Sequence, residues 1–173
     1  MTLAGVEELD DVLASPVFGG GLPPRAENLL KEAGERYERA DEALALLREA
    51  RKIAPDHFAV LIGLYRFFFY KGRLTEARDV AETCLLRAAI ENSLPLDWRL
   101  VRRGDGSFDS YDAPLARFFV FVLKGYAYLN MRLGDLEEGR AAIGKLLELD
   151  PGDKVGARLL LDVLERREAG DDE

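Results

Sequence analysis

The chain is poor in the residues that reactive chemistry uses most. It has one cysteine (Cys84), one histidine (His57), one tryptophan (Trp98) and two methionines. A single thiol can neither close an intrachain disulfide nor assemble a cysteine metal site, which fits a reducing, cytoplasmic setting. Cys84 falls with Val80 and Ala81 on the inner side of a helix and reads as a small core hydrophobe rather than a nucleophile. His57 stands beside Pro55 and Asp56 at a helix start, with no sequence feature supplying a second catalytic group, and reads as an exposed terminal residue. No apolar run reaches the roughly 18–20 residues of a membrane span. The longest, Leu115 to Leu123, contains Arg117. The stretch Met1 to Pro16 has no basic residue, so a secretory leader is not expected. Gly19-Gly20-Gly21 is not followed by Lys-Ser or Lys-Thr, which excludes a phosphate loop. The acidic run from Asp105 to Asp112 lacks the glycine of a calcium loop's sixth place and, at Ala116, the glutamate of its twelfth; it reads as a solvated loop. Arg103-Gly104-Asp105, which leads into it, is read as chance. No catalytic residue, metal site or cofactor is expected, and an enzyme is disfavoured.

What the chain has is helix-forming and acidic. Of its 173 residues 48% are hydrophobic, too many for a disordered chain, and the length suits one domain with a core. The formal net charge is −8, which disfavours nucleic acid and anionic membrane surfaces as partners. Arginines outnumber lysines 18 to 6, a compositional hint of a bacterium with a GC-rich genome.

Along the chain the hydrophobic period is helical almost throughout. Leu3, Val6, Leu9, Val12 and Leu13 form one apolar stripe over Leu3 to Ala14, read either as a packing cap or as a partner-binding arm. Ser15 to Pro24, with three glycines and three prolines, is expected to be a flexible linker, so residues 1–23 stand apart from the main domain. Pro55 divides the helical stretch from Arg25 to Asn92, with Asp56 placed to cap the helix that follows, and Lys71-Gly72-Arg73 breaks it again. Ser93 to Ala113 is polar and reads as an inserted loop, with a short β-hairpin allowed by Trp98 to Val101 and Ser107 to Tyr111. Most of it is expected to be removable, Trp98 excepted. Helical pattern resumes at Pro114, breaks at Leu133-Gly134 and at Pro151-Gly152, and ends with a helix from about Asp153 to Glu168. The tail, residues 169–173, is acidic and expected to fray.

A period is present. Ala43 and Ala77 lie 34 residues apart in similar surroundings. Gly139 lies 62 residues beyond Ala77, one period plus a surplus of 28 that falls on the inserted loop. Gly72-Arg73-Leu74 with Ala77 matches Gly134-Asp135-Leu136 with Gly139, and Pro55 and Pro151 close second helices. Small residues at these places let two helices approach, while Leu30, Leu64 and Tyr126, and likewise Leu61 and Leu123, fill the space from the first helix. In this register the chain resembles the tetratricopeptide repeat family over roughly Pro24 to Glu168. The third unit (Val120 to Asp153) is the fullest match, the second (Phe58 to Glu91) lacks its closing proline, and the first (Pro24 to His57) has a degenerate first helix. Tyr65 departs from the family by standing where it prefers a small residue.

The resemblance implies an all-α array of three helix–turn–helix units and a capping helix over residues 24–168, with the insertion at about 93–113 between units two and three. It also implies that the first helix of each unit lines a concave groove, which carries a peptide- or partner-binding role onto Asn28, Ile62, Arg66, Phe69, Phe121, Lys124, Tyr128 and Arg158. The aromatic runs Phe67-Phe68-Phe69-Tyr70 and Phe118-Phe119 with Phe121 read as core in part and as this groove in part. The expected partner is a protein or peptide with an apolar anchor flanked by acid. The second reading is self-association, with the aromatic face buried in a homodimer. The carboxylate clamp of one subclass is not assigned, since Glu32 opposes Asn28.

Overall fold

The computed structural model describes Phe18, residues 20–110 and residues 112–170. The amphipathic segment Leu3 to Ala14 and the end of the tail lie outside the described residues. Among the described residues there are seven α-helices and no strand: α1 (Pro24–Glu35), α2 (Ala40–Ile53), α3 (Phe58–Tyr70), α4 (Leu74–Glu91), α5 (Pro114–Arg132), α6 (Leu136–Leu149) and α7 (Ala157–Glu168). Each helix packs on the next, and α1 also touches α3 as α5 touches α7. That pattern of neighbours is a solenoid of three antiparallel pairs closed by α7.

The breaks between paired helices are built by backbone chemistry. At the end of α3, Gly72 takes φ +73°, its N–H donates to the Phe69 carbonyl at 3.1 Å, and the Arg73 N–H donates to the Phe68 carbonyl at 2.8 Å. Gly134 at φ +88° closes α5 in the same way, with Asp135 N–H on the Asn130 carbonyl at 2.8 Å. These are Schellman caps, which need a left-handed residue and therefore favour glycine. At the end of α4 the left-handed place is held by Ser93, φ +56°, with Leu94 N–H on the Ala89 carbonyl at 2.8 Å. The small residues of the period sit where helices meet: Ala43 and Ala77 are buried, and a Cβ on Gly139 would stand 3.0 Å from Met131 Cγ and 3.3 Å from the Ala127 carbonyl.

Several expectations change. His57, not Asp56, caps α3: its Nδ1 accepts from the Ala59 N–H at 3.1 Å. Having its lone pair there, the ring places its proton on Nε2, which donates to the Gly20 carbonyl at 2.8 Å. The described part of the linker is accordingly pinned, with Phe18 buried against Phe58 and Phe118. The last helix begins at Ala157 rather than near Asp153, because Asp153 turns left-handed (φ +52°) and its carboxylate accepts from the Ala157 N–H at 2.6 Å.

The insertion forms no hairpin. It folds as two short 3₁₀ turns, Trp98–Leu100 and Arg103–Asp105, and it is part of the core. Val101 is 0% exposed, Leu94, Trp98 and Phe108 are buried, and the Trp98 and Phe108 rings lie 6.0 Å from Tyr126 and 5.8 Å from Phe119. Polar ties reinforce the packing: Lys145 donates to the Val101 carbonyl at 2.7 Å, and Arg99 pairs with Glu138 while its guanidinium covers Trp98 at 4.3 Å. The segment is thus a strap across α5 and α6, and the expectation that most of it is removable does not fit this burial.

Candidate partner-binding face

Helices α3 and α5 run side by side as the first helices of units two and three. Near their N-terminal ends the Phe58 and Phe118 rings meet edge-on at 4.8 Å, and near their C-terminal ends Phe69 and Tyr128 meet at 6.0 Å. Spacings of four, seven and eleven residues along α3 place Phe58, Ile62, Tyr65 and Phe69 on one stripe, so they share the seam with α5. Tyr65 packs 6.2 Å from Phe69, and burial pushes its hydroxyl well above the ordinary tyrosine range.

The seam is apolar and basic. Neither α3 nor α5 contains an aspartate or glutamate, while together they carry Arg66, Arg117, Lys124 and Arg132. The Arg117 guanidinium stands 5.4 Å over Phe121. Arg132 stands 5.7 Å over Tyr128 and donates to its hydroxyl at 2.8 Å. In a chain of net charge −8 this is a local positive stripe.

Of the eight residues assigned from sequence, the structure places Ile62, Arg66, Phe69, Phe121, Lys124 and Tyr128 on these two helices. Their accessibility is not what an open groove requires. Ile62, Phe121 and Lys124 are buried, Lys124 to 1% exposure, and Arg66, Phe69 and Tyr128 are half-buried. Asn28 and Arg158 are exposed on α1 and α7, and no described contact joins either to the six.

An open recess lies one helix over, between α1 and α3. It has a volume of about 240 Å³, and its lining includes Leu30, Tyr37, Gly63, Phe67 and Tyr70 with Arg66. Gly63 makes room for it: a Cβ there would only reach van der Waals contact, 3.5 Å, with Leu30 and Leu47, and no larger side chain fills the gap. Tyr37 packs edge-on to Phe67 at 6.1 Å beneath the Lys71 ammonium, 3.9 Å over its ring. Burial first, then the neighbouring Glu38, raises the Tyr37 hydroxyl above its ordinary value. Tyr70 is 53% exposed at the rim. Sequence reasoning passed over Tyr37 and Gly63 and took Tyr70 only as one of an aromatic run; the one signal available for the recess was a glycine inside an otherwise bulky helix.

Cys84 is buried, and burial pushes its thiol up to about 12, the wrong direction for a nucleophile. Among the described residues no group of three or more His, Cys, Asp and Glu side chains could hold a metal ion, and no helix is long and apolar enough to cross a membrane.

Stacked helix pairs, each packed on the next, define a helical repeat protein. The chain belongs to the tetratricopeptide repeat family, which residues 36–89 match. That match spans α2, α3 and most of α4. The chain is also 38% identical over 138 residues to the "uncharacterized 19.8 kDa protein in nifW 5′ region" of Azotobacter chroococcum mcd 1, covering 79% of this chain and 77% of that relative. No solved structure matches it. Repeats of this family serve as protein-interaction modules.

Proposed function

We propose that the protein is a scaffold or accessory factor that grips an extended or helical segment of another protein on its concave side, with the α1–α3 recess as the anchoring pocket. The observation that carries this reading is the recess itself. It is about 240 Å³ of mainly apolar space, walled by tyrosine and phenylalanine and rimmed by Arg66. A pocket of that size takes one large apolar or aromatic side chain, and aromatic walls beside arginine are what interface hot spots favour. Arg66 in the lining and the Lys71 ammonium over the Tyr37 ring make the potential beside the recess positive, which favours a partner segment with acid near one bulky apolar residue.

The relative's description places it in the 5′ region of nifW, so the products of nifW and of the neighbouring genes are the first partners to try. Calorimetric titration of such a partner into the parent chain, Arg66→Glu and Tyr70→Ala tests the reading. Both variants should weaken binding at least tenfold with unchanged melting temperature, and the Arg66→Glu complex should depend less on salt. Full-strength binding by both variants would remove the recess as the site.

Self-association is the second reading, favoured by the apolar residues left exposed on α4 and the strap, Leu86, Ile90, Leu96 and Leu100. Light scattering over a dilution series separates the two: a constant monomer mass leaves only the partner reading.

A further inference from the structure

We propose that Gly63 sets the specificity of the α1–α3 recess, and that the anchor it admits is an aromatic side chain of the partner segment. The inference rests on the recess being the anchoring pocket and names the class of side chain that pocket selects.

The first observation is a glycine that the helix does not require. Gly63 stands midway along α3, where glycine is less stable than alanine. Other glycines meet a demand of the backbone. Gly72 and Gly134 take positive φ, and a Cβ on Gly139 would stand 3.0 Å from Met131 Cγ. Gly63 is helical, and a Cβ there would make ordinary contacts of 3.5 Å with the Leu30 and Leu47 side chains. Alanine therefore fits this place and favours the helix. What glycine provides instead is depth, since Gly63 lines the recess of about 240 Å³. Gly34 of α1 lines the same recess, and a Cβ on it would meet nothing within 4 Å. A local choice that costs stability and keeps a cavity open is expected at a binding site.

The second observation is the shape of the wall. Tyr37 and Phe67 both line the recess, with ring centroids 6.1 Å apart and planes inclined by 80°, so they form a corner. A ring entering such a corner lies face-on to one wall and edge-on to the other, and both arrangements are attractive between aromatics. A branched aliphatic side chain gains only its buried area. The Lys71 ammonium, 3.9 Å over Tyr37, helps to hold that ring in its plane. Tyr70, 53% exposed, adds aromatic surface at the rim.

The test titrates three neutral probes into the isotope-labelled full chain, followed by amide NMR: N-acetyl-phenylalaninamide, N-acetyl-tryptophanamide and N-acetyl-leucinamide. Both ring probes should shift the amides of Gly34, Gly63 and Phe67. The phenylalanine probe should bind at least about threefold tighter than the leucine probe, within the range an aromatic contact adds. Gly63→Ala should raise the melting temperature by about 2–4 °C and weaken the tryptophan probe more than the phenylalanine probe. Gly63→Met should abolish the shifts of all three. If the methionine variant does not fold, Gly63→Ala decides.

Ring probes that leave these amides unmoved overturn the inference, as does a leucine probe that binds as tightly. So does a lower melting temperature in Gly63→Ala, which would mean that the fold itself needs the glycine, or unaltered ring binding in that variant. A partner that needs Arg66 and Tyr70 but binds Gly63→Met as it binds the parent removes this inference and leaves the proposed function. Ring probes that bind here, with a partner indifferent to Arg66→Glu and Tyr70→Ala, do the reverse.

Discussion

Phe69 of α3 and Tyr128 of α5 meet with ring centroids 6.0 Å apart and planes inclined by 46°, although 58 residues and a buried strap separate them in sequence. Together with the Phe58–Phe118 contact at the other end of the same helices, this keeps the first helices of units two and three parallel neighbours despite the insertion. Truncating each ring to leucine and then both should reveal a coupling of about 0.5–1.5 kcal/mol in urea unfolding, the range for aromatic pairs. Strict additivity would mean that the seam is not closed by this pair.

Ser93 holds a left-handed backbone place that its two counterparts fill with Gly72 and Gly134. Ser93→Gly should therefore stabilise the protein, by about 1 kcal/mol, since the strain of a Cβ at positive φ is relieved. A lower denaturation midpoint would contradict the Schellman geometry at the end of α4.

The strap is core, so damaging it should damage folding. Trp98→Ala removes a buried ring from Tyr126 and should cost about 3 kcal/mol or more. Replacing residues 94–112 by a short Gly-Ser bridge should broaden or abolish the cooperative thermal transition. A bridge variant that melts like the parent would show the strap to be dispensable.

The repeat was legible because its turns need particular residues: a glycine where φ is positive, a small residue where helices touch. The strap was not. Its polar composition reads as loop, and the burial of Val101 and Phe108 depends on surfaces of α5 and α6 that exist only after those helices pair. Alternation around Trp98 suggested strands, but no partner edge is there to receive them, and 3₁₀ turns satisfy the backbone instead. Six of the eight assigned binding residues share one seam, as the repeat register implies. Register gives no depth, however, so the burial of Ile62, Phe121 and Lys124 could not be read. The recess was missed because it is made by the side chain Gly63 does not have.

Alkaline pH should unfold the protein in a definite window. Burial raises the Cys84 thiol from 9.0 to about 12. Burial, then the charge of Glu138, raises the Tyr126 hydroxyl from 10.0 to about 12. Both groups keep their protons longer folded than unfolded. Their contribution is therefore whole below pH 9 and is lost as pH climbs from there toward 12. Urea midpoints should fall between pH 8.5 and pH 11, less so in Cys84→Ala, and the thiol should react with a disulfide reagent only as the chain unfolds. A flat midpoint, or fast labelling of the native protein, would contradict the burial of Cys84.

Site-specific photocrosslinking in living cells reads out whether a partner segment binds at the α1–α3 recess. A benzophenone side chain replaces Tyr70, at the rim of the recess, or Leu86, exposed on α4. The expected result is a discrete adduct to one other protein from position 70. Arg66→Glu should abolish it, and position 86 should give none. Adducts from position 86 alone, or adducts at 70 that persist in Arg66→Glu, would place the partner elsewhere on the molecule and contradict the account.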